Sequence, residues 1–124
     1  MPLEDDLTTA AANGDTARVE SLLQTGAQVN GLNRFGRTAV QVMMMGSSSV
    51  AQVLLKHGAD PNVADPRTGS TPLHDAARTG FLDTVRLLVE YTADPEATDN
   101  TNCRPVDVAK DNGHADVVAF LESL

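Results

Sequence analysis

The chain has one cysteine, Cys103, and no tryptophan. A single thiol excludes an internal disulfide and with it the small, disulfide-stapled extracellular class. No base stands near Cys103 in the sequence to activate it, so it reads as structural or incidental. Aromatic residues are only 3% of the chain. The core must then be built mainly from Ala, Val and Leu, a set suited to tightly stacked helices. Basic residues are also scarce, nine Lys and Arg against 17 Asp and Glu, for a net charge of −8. That balance argues against nucleic acid or anionic membrane as a partner and favours a basic protein surface. There is no signal-peptide pattern and no apolar run near the ~18 residues of a membrane span. An intracellular, soluble protein is expected. Its 124 residues, 41% of them hydrophobic, fit one domain, 1–124.

Catalytic and metal-binding patterns are missing as well. His57, His74 and His114 are 17 and 40 residues apart, with no second ligand at helical spacing, so no metal and no cofactor are expected. No nucleophile elbow, phosphate-cradling loop or calcium loop occurs, and "GSSS" at 46–49 reads as a turn with helix-capping hydroxyls. Glu4, Asp5 and Asp6 are a helix-start charge cluster. The chain is expected not to be an enzyme, which leaves surface complementarity as its chemistry.

What the sequence does have is a period. "GDTARVESLLQTGAQVN" (14–30), "GSSSVAQVLLKHGADPN" (46–62) and "GFLDTVRLLVEYTADPE" (80–96) superimpose, and "GHADVVAFLESL" (113–124) begins a fourth copy. Their leading glycines, Gly14, Gly46, Gly80 and Gly113, are 32, 34 and 33 residues apart. Ahead of each lies a shorter helix signal, complete in "TPLHDAARTG" (71–80), where Thr71 is the N-cap and Pro72 sits in the first turn. Period and motif together resemble the ankyrin repeat. The expected fold is therefore all-α, an α-solenoid of four stacked repeats at approximately 3–32, 33–64, 65–98 and 99–124.

The pattern has a physical basis. Leu7, Ala10 and Ala11, or Leu73, Ala76 and Ala77, make a small-residue face on each first helix. Val19 with Leu22 and Leu23, Val53 with Leu54 and Leu55, and Val85 with Leu87, Leu88 and Val89 give each second helix its apolar stripe. Gly26 and Gly58 are placed for left-handed helix ends, and "FGR" (35–37) for a hairpin tip. Thr92 takes the Gly26/Gly58 position, where a β-branched residue must strain or alter the turn. Asn102 takes the Gly36 position, which asparagine tolerates. His74, in the "TPLH" position, is expected to tie helices and loops together by hydrogen bonds.

"QVMMMG" (41–46) departs from the pattern. "TAVQVMMMG" spans eight steps from Thr38 to Gly46, against nine from Thr71 to Gly80, and puts methionine where other repeats put alanine. The first helix of repeat two is therefore expected to be truncated. Met43 and Met44 are expected to reach a partner and Met45 to pack inside, with core packing of all three as the alternative.

"HDAARTGFLDT" (74–84), "GRTAVQVMMMG" (36–46) and "ADPNVADP" (59–66) closely resemble the ankyrin-repeat inhibitors of the cyclin-D-dependent kinases, nearest the four-repeat members. The resemblance covers essentially the whole chain. It implies a monomeric, stoichiometric inhibitor of cyclin-dependent kinases four and six, cytoplasmic and nuclear, that restrains entry from G1. It also implies that the concave face of the middle repeats grips the kinase behind its catalytic cleft, skews the two lobes, disturbs ATP alignment and opposes cyclin engagement. Asp75 is then expected to meet a basic side chain, most readily arginine. Asp83 and Phe81 lie in a stretch the family uses for contacts, though a first-turn aspartate and a packing aromatic are equally ordinary readings. Asp65 is a further acidic candidate or a turn residue. Arg78, three residues after Asp75, either orients it or contacts the kinase. Ala17 stands where the family has an acidic residue, Thr101 where the four-repeat members have a hairpin tryptophan, and Thr71 where they have arginine. The alternative is an ankyrin scaffold for another intracellular protein, such as a transcription factor.

Overall fold

The computed structural model describes residues 2–124, which form eight helices and no strand. In chain order these are α1 (Leu3–Ala12), α2 (Thr16–Thr25), α3 (Ala39–Val42), α4 (Ser48–Lys56), α5 (Pro72–Thr79), α6 (Leu82–Glu90), α7 (Pro105–Asp111) and α8 (Ala115–Glu122). They fall into two compact units, Met1–Asp60 and Pro61–Leu124. No helix among the described residues is long and apolar enough to cross a membrane.

In the first unit α1 packs against α2 and α3, and α2 against α4. Leu7, Ala10 and Ala11 of α1 are buried, as are Val19 and Leu22 of α2 and Val50, Ala51, Leu54 and Leu55 of α4. Small residues on α1 allow close approach, and the larger residues of the second helices fill the space between. Asp15 caps α2 by accepting from the Arg18 amide at 3.1 Å, and Ser47 caps α4 by accepting from Val50 at 3.3 Å. The second unit repeats this plan, with α5 against α6 and α7, and α7 against α8. Leu73, Ala76 and Ala77 are fully buried there, with Val85, Leu88 and Val117.

An asparagine fastens successive loops within each unit. Asn30 donates to the Gly58 carbonyl at 3.0 Å and accepts from the Asp60 amide at 2.8 Å. Asn62 does the same with Thr92 and Asp94, at 3.1 and 2.8 Å. Each thus satisfies a carbonyl of the turn that follows a helix, which has no partner inside that helix.

Gly26 and Gly58 end their helices at φ +115° and +91°. In both, the next amide reaches back into the last turn, Ala27 to Leu22 and Ala59 to Leu54, each at 3.0 Å. Thr92 keeps the same closure, with Ala93 bonded to Leu88 at 2.8 Å, and adopts φ +72° to do so. The turn is retained and the side chain is strained. Asn102 likewise takes φ +65° at its hairpin tip.

The short first helix of repeat two is the largest irregularity. α3 has four residues and stops at Met43, whose φ and ψ are −57° and 154°. Gln41 accepts from the Thr38 amide at 2.7 Å at its start. Beyond α3 the Met44 amide donates to the Ala11 carbonyl at 2.9 Å, capping α1 in place of another helical turn. The Met44 side chain lies over Gly14, where a Cβ would come within 2.8 Å of its sulfur. Gly14 therefore has two reasons to be glycine, this contact and its φ of +72°.

Candidate partner-binding site

Asp75 lies in the first turn of α5, and its helix starts where it does because Thr71 and His74 lock each other. The Thr71 hydroxyl oxygen accepts from the His74 amide at 3.3 Å, and His74 Nδ1 accepts from the Thr71 amide at 3.1 Å. The Thr71 hydroxyl also lies 2.8 Å from Nδ1. The other ring nitrogen, Nε2, meets the Cys103 carbonyl at 2.8 Å. A carbonyl only accepts and an amide only donates, so this network assigns the proton to Nε2. His74 is completely buried, and it ties the start of α5 to the loop ahead of α7.

One residue along, the Asp75 carboxylate is about one-third exposed. Its Oδ1 accepts from the Ser70 hydroxyl at 2.9 Å and from Arg78 Nη1 at 2.8 Å. Arg78 Nη2 also donates to Ser70 Oγ at 3.3 Å, closing a three-residue ring. Oδ2 accepts no hydrogen bond among the described residues. The site therefore offers a localised negative charge with one carboxylate oxygen available.

The other acidic candidates differ in their surroundings. Asp83, in the first turn of α6, is exposed and makes no ion pair or hydrogen bond among the described residues. Phe81 precedes α6 and is 44% exposed. Asp65 is half-buried and organises a turn, its Oδ1 accepting from the Arg67 amide at 2.8 Å and its own amide donating to the Ser70 carbonyl at 2.8 Å. Asn33 and Asp99 play the same part in their hairpins, accepting from Phe35 and Thr101 at 2.9 Å. The Asp99 carboxyl is held below its ordinary value, first by the Cys103 amide at 3.0 Å and against the effect of burial, with help from Thr101.

Met43 and Met44, in the first unit, were expected to face a partner together, and here the structure corrects the sequence reading. Met43 is 3% exposed and belongs to the core, whereas Met44 is 46% exposed. The extended backbone at Met43 turns its side chain inward and carries the next residue out. Met45, expected inside, is half-buried. Sequence reasoning missed two other exposed apolar residues in this unit, Leu32 and Phe35, at 62% and 72%. Arg34 lies over the Phe35 ring at 5.4 Å, an arrangement a cation–π pair favours. Phe35, one of three phenylalanines and directly before tip residue Gly36, was the available signal.

The family profile described as "Ankyrin repeats (3 copies)" matches residues 7–99 and 63–123. Human "Cyclin-dependent kinase 4 inhibitor B" is 51% identical over 120 residues, covering 97% of this chain and 87% of that protein. Its mouse counterpart is 51% identical over 117 residues, covering 94% and 90%. Human "Cyclin-dependent kinase inhibitor 2A" is 49% identical over 122 residues, covering 98% of this chain and 78% of its own length.

Proposed function

The chain belongs to the ankyrin-repeat inhibitors of cyclin-dependent kinases, and from that premise we infer that it is a stoichiometric protein inhibitor of kinases four and six. It acts without catalysis or cofactor, as a monomer, in the cytoplasm and nucleus, and restrains entry from G1. Binding skews the kinase lobes, misaligns ATP and opposes cyclin engagement, so occupancy rather than turnover sets its effect.

The observation that carries this reading is the Asp75 carboxylate, pinned through Oδ1 and open at Oδ2. A guanidinium or ammonium on the kinase N-terminal lobe supplies the missing donor. Asp83 and Phe81 extend the contact at the start of α6. Arg78 serves Asp75 from within, and Asp65 supports the site mainly through its turn. Met44 offers a separate apolar contact from the first unit, while Met43 serves the core. A scaffold for a transcription factor gives no reason for a clamped carboxylate on α5.

The test is capture of a cyclin-D-dependent kinase by the pure protein together with inhibition of that kinase's activity. Asp75→Ala is expected to cost about 2–5 kcal/mol of binding, the range for truncating one partner of a hydrogen-bonded, partly desolvated charge pair. Circular dichroism checks that the variant remains folded. Wild-type affinity in folded Asp75→Ala removes Asp75 from the interface, and absence of kinase inhibition by the unmodified protein removes the function.

A further inference from the structure

We propose that Ser70 is the positioning residue that sets the Asp75 carboxylate for a cationic partner side chain, an inference that rests on the inhibitor reading above. Ser70 is 8% exposed, and its backbone is held on both sides. Its amide donates to Thr68 Oγ1 at 3.2 Å, and its carbonyl accepts from Asp65 at 2.8 Å. The turn that carries it is fixed in its own right. The Asn100 amide donates to the Thr68 carbonyl at 2.9 Å, and the Asn100 side chain donates to the Arg67 carbonyl at 3.1 Å. A few residues on, the Cys103 carbonyl meets His74 of α5. Ser70 thus sits in a frame whose other side is the helix bearing Asp75.

The two donors on Asp75 Oδ1 are therefore unequal. A serine hydroxyl has one hydrogen, and this one goes to Asp75 from a nearly buried, immobilised position. Arg78 reaches the same oxygen on a long side chain that is 44% exposed. An exposed pair of this kind holds weakly and is easily exchanged for solvent or another partner. With both donors present, the two lone pairs of Oδ1 are occupied and both lone pairs of Oδ2 remain. A guanidinium that takes both oxygens displaces Arg78, whereas Ser70 keeps the carboxylate's orientation throughout. Ser70 pre-organises the contact without touching the partner.

The experiment is a double-mutant cycle read by isothermal titration of the purified kinase catalytic subunit with wild type, Ser70→Ala, Asp75→Ala and the double variant. Ser70→Ala is expected to weaken binding about tenfold or more, from the low end of the range for a hydrogen bond to a charged group upward. In the Asp75→Ala background the same substitution is expected to cost nothing further, and Ser70→Thr, which keeps the hydroxyl, is expected to restore binding. Thermal melts accompany each variant. Should Ser70→Ala fail to fold, Ser70→Cys preserves the shape with a weaker donor and is expected to show a smaller loss with the same dependence on Asp75. An equal loss in both backgrounds, or no loss in either, overturns the proposal. Wild-type binding that is indifferent to Asp75→Ala overturns it too but leaves the inhibitor reading standing. Failure of wild type to bind overturns that reading first.

Discussion

Thr92 holds by force a backbone conformation that Gly26 and Gly58 adopt freely. A Cβ in the left-handed region costs about 1–2 kcal/mol, part of which a flexible glycine returns to the unfolded chain. Thr92→Gly is therefore expected to stabilise the protein by about 1 kcal/mol, seen as a higher denaturation midpoint in urea. A fall in the midpoint would show that the Thr92 hydroxyl, 2.6 Å from the Tyr91 carbonyl, matters more than the strain. The methionines give a matched pair. Met43→Ala empties a core position and is expected to cost about 2–5 kcal/mol of stability. Met44→Ala is expected to cost about 1 kcal/mol or less and to register instead as weaker kinase binding. Equal losses of stability in the two variants would contradict their different burial. The sequence could not separate them, because a helical wheel applies only while the helix continues, and the backbone leaves it at Met43. Asp65 was half legible for another reason. Asn33, Asp65 and Asp99 are 32 and 34 residues apart, so the chain's own period marked Asp65 as a hairpin residue, a signal overshadowed by its charge.

The hairpins show how a few short hydrogen bonds take the place of a larger core. The Asp99 carboxylate holds the Thr101 and Cys103 amides, and Asp107 holds the Arg104 amide at 2.9 Å. Both carboxyls lie below their ordinary value of 3.8. The leading cause is the backbone donor in each case, Cys103 for Asp99 and Arg104 for Asp107. A carboxyl whose pKa is lowered by folding stabilises the native state above its unfolded value, and this contribution disappears as pH falls through the lower folded value. Asp99→Asn is therefore expected to be less stable than wild type at neutral pH, with the gap narrowing below pH 3.8. Urea denaturation at neutral pH and again near pH 3 checks this, and a gap independent of pH would refute it. The helix pairs themselves were plain in the sequence, since leading glycines, alanine faces and leucine stripes recur together. The truncation of α3 was legible too, from one missing residue between Thr38 and Gly46. What replaces the lost turn was not, because the bond from Met44 to the Ala11 carbonyl joins residues far apart in sequence, and no local pattern encodes it.

Charge is distributed unevenly along the chain, and this bears on how a partner arrives. Residues 61–124 carry eleven Asp and Glu against five Lys and Arg, whereas residues 1–60 carry six against four. The segment that presents Asp75 and Asp83 therefore holds most of the negative field. On the inhibitor reading, a basic face on the kinase would be drawn toward that segment before any specific contact forms, because exposed charges act over roughly a Debye length, about 10 Å at 0.1 M salt. Steering of this kind raises the association rate and leaves dissociation to the short-range contacts. The association rate constant with the kinase is accordingly expected to fall about tenfold between low and high ionic strength, with a smaller change in dissociation. Asp75→Ala is expected to act the other way, chiefly speeding dissociation, because removing one charge of many alters the field little but deletes the hydrogen-bonded contact proposed for Asp75. Asp83→Asn, at an exposed position, is expected mainly to slow association. Stopped-flow measurements over a salt series separate these effects. An association rate indifferent to salt would mean that the acidic excess serves solubility alone and that the partner's docking face is not basic.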